Sequence, residues 1–391
     1  MKLSERMPRL GTETAFEVLV RARALEARGR DVIHLEIGEP DFNTPDYIVQ
    51  ACIRALQRGA HHYGPSAGLP ELREAIAEDC LRRRGVRVEP ENVVVTPGAK
   101  PIIFFTLLAL VDPGDEVIYP NPGFPIYESM INYLGGKPIP IRLIEEEGFV
   151  LDVDELVRRI SNKTKLIILN TPHNPTGGII PREAMMEIGR AAAHYGVPIL
   201  SDEIYSRILY EGEHFSIAQV PGMLEQTIIL DGFSKTYAMT GWRLGYGIMP
   251  KALAQQIARL QTNSNSCTAT FTQLAGITAL RDEGDEVRDM VAEFQRRRDF
   301  IVNGLNAIDG MSCVMPRGAF YVFPNITATG WKSKPLADYL LEEAGVACLS
   351  GTAFGSYGEG YLRFSYANSI ENIGKALDRM AGALAKARPS P

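Results

Sequence analysis

The sequence predicts an α/β protein, in which a large domain with a mainly parallel sheet between helices carries a smaller α+β domain. Short apolar runs alternate with longer amphipathic stretches through the middle of the chain, which is the signature of βαβ units. The runs Leu166–Leu169 and Ile228–Leu230 are apolar at every position, as expected for strands covered by helices on both faces. From Glu286 to Ile308, apolar residues recur at helical spacing and predict one long helix leaving the large domain.

Six strands of the large domain are predicted from these runs. They are Val93–Thr96, Glu116–Tyr119, Lys165–Asn170, Pro198–Ser201, Thr227–Leu230 and Gly245–Ile248. Pro181–Tyr195 carries helical spacing between two of them, and the apolar stretch Pro101–Val111 predicts a buried helix.

The C-terminal part of the chain predicts the smaller domain. The expected elements after the long helix are a strand at Ala319–Phe323, a helix at Leu336–Ala344, a strand at Tyr361–Ser365 and a final helix at Ile370–Ala387. The N-terminal residues up to Thr44 are expected to pack with these elements. The predicted boundaries are therefore 45–289 for the large domain, and 1–44 with 290–391 for the small one.

Composition and charge argue against several classes of function. The chain has 391 residues, of which 45% are hydrophobic and 23% charged, as in ordinary globular proteins. A net charge of -6 argues against a nucleic-acid surface, and no apolar run is long enough to span a membrane. The N-terminus lacks a signal-peptide core, and the five scattered cysteines show neither disulfide nor metal spacing. A cytoplasmic protein without a bound metal is expected.

The segment Asp231–Tyr246 carries the strongest chemical signal. Lys235 follows the apolar run Thr227–Leu230, and Arg243 lies eight positions later among glycines. A partly desolvated lysine at a strand end has a lowered pKa and can form an imine with an aldehyde, while an arginine can grip a phosphate. Together these are what the binding of pyridoxal phosphate (PLP) requires. On its own, the segment could also be a surface loop with two solvated charges.

Two turns that follow predicted strands are candidates for contacts with an anion or a polar ring substituent. Gly98 lies in the turn between Thr96 and the following helix, where free backbone N–H groups can bind an anion. The alternative is that this glycine only allows the chain to turn. Asn174 lies in a sharp loop marked by Asn-Pro and Gly-Gly. Its amide can donate to a bound ring or carboxylate, but asparagine is also an ordinary turn residue.

Two charged residues lie in apolar runs that predict strands. Asp202 closes one of these runs, and a carboxylate buried there needs a positive partner. A pyridinium N–H can supply that partner. The alternative is that Asp202 caps the N-terminus of a helix. Tyr205, three positions on, is within reach of the phenolic oxygen of the same ring. Arg363 lies within Tyr361–Ser365, where its partner is either a substrate carboxylate or a structural acid.

The order and spacing of these clusters resemble those of fold-type-I PLP enzymes, specifically class I/II aminotransferases such as the prokaryotic aspartate and aromatic enzymes. The resemblance extends from about Ile33 to the final helix. The matching motifs are Gly38-Glu-Pro-Asp-Phe42, Tyr63-Gly-Pro-Ser-Ala-Gly68-Leu-Pro-Glu-Leu-Arg73, Asn174-Pro-Thr-Gly177, Ser201-Asp-Glu-Ile-Tyr205, Ser234-Lys235, Met239-Thr-Gly-Trp-Arg243 and Tyr361-Leu-Arg363. The resemblance implies a seven-stranded sheet and transfer of an amino group from an L-amino acid to a 2-oxo acid such as 2-oxoglutarate.

The resemblance also implies which residues act on the cofactor. Lys235 resembles the Schiff-base lysine and Asp202 the partner of the pyridinium nitrogen. Tyr205 and Asn174 resemble the pair that contacts the phenolic oxygen. Phe124 lies where the family places an aromatic ring stacked on the cofactor. The residues that resemble phosphate ligands are Gly98, Ala99 and Lys100 through their backbone, with Ser234 and Arg243.

Contacts with the substrate and with a second subunit are implied in the same way. Arg363, together with Gly38 and Asn174, resembles the site that binds the substrate's α-carboxylate. Tyr63 resembles a residue that reaches the cofactor phosphate of the neighbouring subunit, which implies a homodimer with shared active sites.

Two departures from the family pattern bear on phosphate binding and on substrate specificity. Many relatives carry a phosphate-binding serine three residues before the lysine, where this chain has Gly232. No arginine matches the one that binds the distal carboxylate in many aspartate enzymes. This absence argues against specificity for dicarboxylic substrates, and aspartate, alanine and aromatic donors all stay open.

Two other functions share this cofactor-binding fold. β-Elimination by a C–S lyase would release pyruvate and ammonia without an oxo-acid acceptor. A transcription regulator would need a DNA-binding module ahead of the PLP domain, and the residues before Ile33 are too few for a helix-turn-helix.

Overall fold

A seven-stranded sheet forms the centre of the structure, a computed structural model that describes residues 1–282 and 284–386. In chain order the strands are β1 (Ile33–His34), β2 (Val93–Thr96), β3 (Glu116–Pro120), β4 (Lys137–Ile141), β5 (Leu143–Ile144), β6 (Val150–Leu151), β7 (Thr164–Asn170), β8 (Ile199–Asp202), β9 (Thr227–Gly232), β10 (Gly245–Ile248), β11 (Tyr321–Val322), β12 (Val346–Ala347), β13 (Leu349–Ser350) and β14 (Leu362–Ser365).

Helices surround this sheet and build most of the C-terminal part. They are α1 (Thr14–Glu26), α2 (Asp46–Gln57), α3 (Pro70–Arg84), α4 (Lys100–Leu110), α5 (Ile126–Leu134), α6 (Val153–Arg159), α7 (Arg182–Tyr195), α8 (Lys251–Asn265), α9 (Thr270–Arg281), α10 (Glu286–Asn306), α11 (Ser333–Tyr339) and α12 (Ile370–Lys386). A π-helical turn, Leu340–Ala344, continues α11. Helix α3 ends at Arg84 and is capped by Gly85, whose left-handed backbone (φ 63°) suits a residue without a Cβ.

The central sheet has the strand order β2-β10-β9-β8-β7-β3-β4. Its strands pair in parallel from β9 to β4, whereas β10 is antiparallel to both of its neighbours. Strand β2 therefore points in the same direction as β9. The carboxyl ends of β2, β3, β7, β8 and β9 consequently meet at one edge of the sheet, where ligands bind in open α/β folds. The predicted mainly parallel sheet is confirmed.

Alternate residues of the inner strands pack into different cores, which explains why these strands are apolar throughout. On β7, Ile168 belongs to the core under α4 and α5, while Ile167 and Leu169 pack with α6 and α7. On β9, Ile229 packs with α2, α3 and α9 on the face opposite that of Leu230.

The six predicted strands are found, and the seventh is β4, which the sequence analysis did not locate. Its sequence, Lys-Pro-Ile-Pro-Ile, contains two prolines, which argue against a strand inside a sheet. β4 pairs only with β3 and forms an edge of the sheet, where proline's missing N–H is tolerated.

The C-terminal part holds a three-stranded antiparallel sheet, β11-β14-β13, and receives the N-terminal strand β1, which pairs in parallel with β12. The predicted strand at Ala319–Phe323 is shorter, only β11. The predicted helix at Leu336–Ala344 is present as α11 and its π-helical turn. The final helix is described to Lys386, and its predicted end at Ala387 lies outside the described residues.

Three further observations concern the described residues 1–282 and 284–386. None of their helices has the length and hydropathy needed to cross a lipid bilayer. All five cysteines are free thiols. No cluster of three or more His, Cys, Asp or Glu side chains in this part of the chain is arranged to hold a metal ion.

Candidate active site

A cavity of about 550 Å³ lies at the carboxyl edge of the central sheet. Its walls come from the ends of β7, β8 and β9, the start of α4, the segment before α1 and strands β11 and β14. Among the predicted site residues, all except Gly98 and Tyr63 line it. Residues that are far apart in the sequence are thus brought together by the parallel topology.

Lys235 lies in the turn that follows β9, and its Nζ donates a 2.5 Å hydrogen bond to the Gly38 carbonyl oxygen. Burial lowers the pKa of Lys235 to about 8, against the pull of the Glu39 carboxylate. The nearby cations of Arg363, Lys100 and Arg243 contribute to this lowered pKa. A large share of this amine is therefore neutral just above neutral pH, as a nucleophile or base requires.

Asp202 ends β8 and is 4% exposed. Its Oδ2 accepts a 2.6 Å hydrogen bond from the Tyr127 hydroxyl, and Oδ1 accepts from the Ile204 N–H at 3.3 Å. Burial raises the pKa of Asp202 to about 6. In register with it on β7 is Asn170, whose amide donates to the Asp202 backbone oxygen at 3.0 Å. The carboxylate therefore lies in the cavity wall with no cationic partner among the described residues.

The next residue, Glu203, lies in a different environment. Its Oε2 receives the Arg84 Nε at 2.7 Å and the His214 Nε2 at 2.8 Å, and Ser216 donates to Oε1 at 2.6 Å. Arg84 also bonds the Asp231 Oδ2 at 2.5 Å. Burial opposes the ionisation of Glu203, but Arg84 and His214 more than offset it and hold its pKa well below the usual value. This network fixes the ends of β8 and β9 from behind the cavity.

Arg363, on β14, is 4% exposed and contacts no carboxylate within 4.0 Å among the described residues. Its Nη1 donates to the Asn174 Oδ1 at 3.2 Å, and Nη2 donates to the Glu36 carbonyl oxygen. The Nε is buried and has no hydrogen-bond partner in the part of the chain that the structure describes. The structural ion pair that the sequence left open is therefore not present, and the guanidinium is available to an anion in the cavity.

Two tyrosine hydroxyls meet beside this arginine. The Tyr205 and Tyr321 oxygens lie 2.7 Å apart, and the Arg363 guanidinium lies 4.6 Å from the centroid of the Tyr321 ring. Tyr321 is fully buried on β11 and lines the same cavity.

The opposite end of the cavity is built from backbone and one arginine. Gly98 has φ 88°, and a Cβ there would overlap the Arg243 guanidinium. Arg243 itself adopts a left-handed backbone (φ 54°), an uncommon conformation for this residue type that occurs at functional sites. Its Nη1 donates to the Thr240 carbonyl oxygen at 2.7 Å, and its side chain has no carboxylate partner among the described residues.

Lys100 opens α4 beside this arginine. Its ammonium pairs with Glu13, which precedes α1, and lies 5.2 Å from the centroid of the Phe124 ring. Lys100, Glu13 and Phe124 all line the cavity. The Lys100 ammonium is therefore a partly exposed cation in the cavity wall. Its partner, Glu13, belongs to the N-terminal segment and not to the core.

Residues 30–380 match the family model "Aminotransferase class I and II". The chain belongs to this family. It is 43% identical to the aspartate aminotransferase of Pyrococcus abyssi, over 90% of this chain and 91% of that protein. It is 40% identical to aromatic-amino-acid aminotransferase 2 of Thermococcus litoralis, over 97% of each chain. The solved structure of the Thermus thermophilus aspartate aminotransferase with maleate superimposes with a TM-score of 0.93, at 39% identity, covering 98% of this chain and 100% of that one.

The aminotransferase is therefore a PLP-dependent enzyme that transfers an amino group from an amino acid to a 2-oxo acid. The cavity fits this cofactor. The buried, unpaired Asp202 carboxylate suits a protonated ring nitrogen, because a cation there would relieve the cost of its burial. The free N–H groups at the start of α4, next to Arg243, suit a phosphate dianion.

Three residues of this aminotransferase site were missed by the sequence analysis: Tyr127, Asn170 and Tyr321. Tyr127 lies three residues after Phe124, but its contact with Asp202 depends on how α5 packs against the central sheet. Tyr321 lies in a predicted strand, and alternation alone does not say which side chain faces the cavity. Tyr63, by contrast, is 89% exposed and outside the cavity, and its predicted partner belongs to another subunit.

Proposed function

We propose that this aminotransferase acts on dicarboxylic substrates, with aspartate as amino donor and 2-oxoglutarate as acceptor. The observation that carries this proposal is a pair of cations in one cavity. Among the described residues, Arg363 is buried without a carboxylate partner, and the carboxylate that pairs with Lys100 is that of Glu13 on the N-terminal segment. Arg363 binds the α-carboxylate and Lys100 leaves Glu13 to bind the distal one. The names of the aspartate aminotransferases and the maleate in the Thermus structure support the same substrate class.

Lys235 acts as the nucleophile and base. When bound, PLP supplies an aldehyde for the lysine and a protonated ring that draws electrons from the substrate's Cα. The lowered pKa of Lys235 makes its free amine able to remove the proton from the substrate's Cα near neutral pH. The Gly38 carbonyl accepts a hydrogen bond from Nζ and fixes its direction.

The other predicted residues hold the ring, the phosphate and the substrate. Asp202 keeps the ring nitrogen protonated. Tyr127 holds that carboxylate in place through its hydroxyl, and Asn170 fixes the backbone of Asp202 by donating to its carbonyl oxygen. The remaining contacts are assigned by position around the cavity and by the family resemblance. Tyr205 and Asn174 contact the phenolic oxygen, and Phe124 covers the ring face. Ser234, Arg243 and the backbone of Ala99 and Lys100 contact the phosphate, together with the backbone of Gly98, which lies against the Arg243 guanidinium. Arg363, with Gly38 and Asn174, contacts the α-carboxylate.

The assembly and the domain division are part of the same proposal. Residues 45–289 form the large domain, and residues 1–44 and 290–391 form the small one, because β1 pairs with β12. The exposed Tyr63 reaches the cofactor phosphate of a second copy, so that the enzyme is a homodimer with shared active sites. Five free thiols suit a cytoplasmic setting.

A donor panel in single half-reactions, followed at the cofactor's absorbance, tests the substrate proposal. Aspartate and 2-oxoglutarate are expected to react with the highest second-order rates. In Lys100→Gln, both should lose roughly 10- to 100-fold in affinity, because a charge-assisted hydrogen bond is lost. Alanine and pyruvate have no distal carboxylate and serve as the internal control.

Two results would contradict this proposal. If Lys100→Gln weakened alanine as much as aspartate, the lysine would not bind the distal carboxylate. If pyruvate and ammonia formed without any oxo-acid acceptor, the enzyme would be a β-eliminating lyase.

A further inference from the structure

The Tyr321 hydroxyl lies between the three groups to which the proposed function gives separate tasks. It is 2.7 Å from the Tyr205 hydroxyl, which faces the cofactor's phenolic oxygen in that proposal. The guanidinium of Arg363, which binds the α-carboxylate in that proposal, lies 4.6 Å from the centroid of the Tyr321 ring. A Cβ on Gly38, whose carbonyl receives Lys235, would overlap the Tyr321 oxygen.

The strand register explains this position. On the antiparallel pair β11 and β14, Tyr321 faces Ser365, two residues from Arg363. Tyr321 and Arg363 are therefore diagonal neighbours on one face, within reach of each other. Tyr205 follows β8 in the central sheet. The hydroxyl pair thus joins the C-terminal sheet, which binds the carboxylate, to the central sheet, which binds the ring.

The direction of the hydrogen bond follows from the number of protons available. Tyr205 has one hydroxyl hydrogen, and in the proposed site it is donated to the phenolic oxygen. Tyr321 must then be the donor to Tyr205. Burial raises the pKa of Tyr321, but the Arg363 cation acts against this rise and makes it a better donor. Linked hydrogen bonds of this kind strengthen one another.

We propose that Tyr321 is a positioning residue that donates to Tyr205 and thereby links carboxylate binding at Arg363 to the electronic state of the cofactor. This inference rests on the proposed role of Tyr205. When an anion binds Arg363, the positive field on Tyr321 falls, and its donation to Tyr205 weakens. With the cofactor bound, Tyr205 would then stabilise negative charge on its phenolic oxygen less, and the pH midpoint of the holoenzyme's absorbance change would rise.

The test is a pH titration of the holoenzyme's visible absorbance, with and without saturating maleate as a non-reacting dicarboxylate. In Tyr321→Phe, the midpoint without maleate should rise by roughly 0.4 to 1 pH unit, the equivalent of a three- to ten-fold change for one hydrogen bond. The further shift caused by maleate should shrink. Activity is not needed for either readout.

Tyr366→Phe is the matched control. Tyr366 is also fully buried in the C-terminal part, and its hydroxyl lies 3.0 Å from that of Tyr210 and 3.1 Å from the Ala319 carbonyl oxygen, away from the cavity. Its removal should leave the midpoint and the maleate response unchanged. An equal shift in both variants would mean a general packing effect and would overturn the inference.

The variant Tyr205→Phe separates this inference from the proposed function. It should raise the midpoint, and adding Tyr321→Phe should then have no further effect, because Tyr321 acts through Tyr205. A midpoint that moves in Tyr205→Phe but not in Tyr321→Phe would overturn the inference alone. No movement in either variant would overturn the role of Tyr205 as well, and additive shifts would show that Tyr321 acts by another route.

Discussion

Two buried arginines of this protein, Arg84 and Arg363, have opposite surroundings. Arg84 is 3% exposed and bonds two carboxylates, those of Glu203 and Asp231. Arg363 is 4% exposed, and within residues 1–282 and 284–386 its guanidinium bonds an amide oxygen and a backbone carbonyl but no carboxylate. The carboxylates raise the pKa of Arg84 despite its burial, whereas burial lowers the pKa of Arg363.

The same contrast divides the two acids at the end of β8. Glu203 is bonded by Arg84, His214 and Ser216, whereas Asp202 has two hydrogen-bond donors and no cationic partner in the described part of the chain. A buried charge with its partners present stabilises one structure, while a buried charge without them is a site for a ligand. The comparison therefore predicts that the unpaired groups serve activity and the paired groups serve stability.

The largest expected effect is that of Lys235, the cavity's amine. Lys235→Ala should lower transamination by about 10²- to 10⁴-fold or more, because proton transfer at the substrate's Cα loses its base. The imine absorbance of the holoenzyme should vanish, while the far-UV circular dichroism stays unchanged. Normal transamination by this variant would contradict the assignment.

Removal of Arg84 should act on stability instead. Arg84→Met leaves Glu203 and Asp231 buried without their cation, and should lower the free energy of unfolding by about 3–5 kcal/mol. Urea unfolding of the apoprotein measures this loss. Arg363→Met is the matched control, and its free energy of unfolding should be unchanged or higher. Equal destabilisation by both substitutions would break the comparison.

The geometry of Arg363 gives the next effect. Arg363→Lys keeps the charge but not the planar fork of donors, and should lower kcat/KM for aspartate by roughly 10- to 100-fold. The loss should be shared by alanine, since both donors carry an α-carboxylate. A variant with unchanged kcat/KM for both would show that the carboxylate binds elsewhere.

The smallest effect is a pH dependence of apoprotein stability that comes from Asp202. Its pKa is about 6 in the folded protein against an ordinary value of 3.8, so the folded state binds more protons between these two pH values. Protonation thus favours folding, and the contribution of Asp202, about 2–3 kcal/mol at most, is lost as pH rises from 4 to 6. Glu203, with a lowered pKa, has the opposite sign and loses its contribution as pH falls below its ordinary value.

Asp202→Asn isolates the first of these two contributions. The difference in unfolding free energy between the wild-type and variant apoproteins should change between pH 4 and 6 and be constant above that range. A difference that does not vary with pH would mean that Asp202 has an ordinary pKa and, with it, a solvated environment.

Much of this fold could be predicted because the inner strands are apolar at nearly every position, which indicates that both of their faces are buried. β7 and β9 are apolar on both faces, and each lies between two cores. β4 was missed for a physical reason, since a strand at the sheet edge needs fewer N–H donors and tolerates prolines.

The candidate site could be predicted where one residue type has one plausible task, such as Lys235 after an apolar strand. The partner of a buried charged residue could not be predicted in this way. Whether Arg363 pairs with an acidic side chain or stays available to a substrate depends on which side chains the fold brings within 4.0 Å of it. The sequence alone does not give these distances. Tyr127 and Tyr321 were missed because a tyrosine in an apolar segment is usually core, and only tertiary packing shows where its hydroxyl points.

Reduction of the holoenzyme with borohydride, followed by peptide mass spectrometry, tests the central claim most directly. The account predicts a single pyridoxal-phosphate adduct, attached to the peptide that contains Lys235, and its disappearance in Lys235→Ala. An adduct on another lysine of the cavity, such as Lys100, or no adduct at all in the active enzyme, would contradict it.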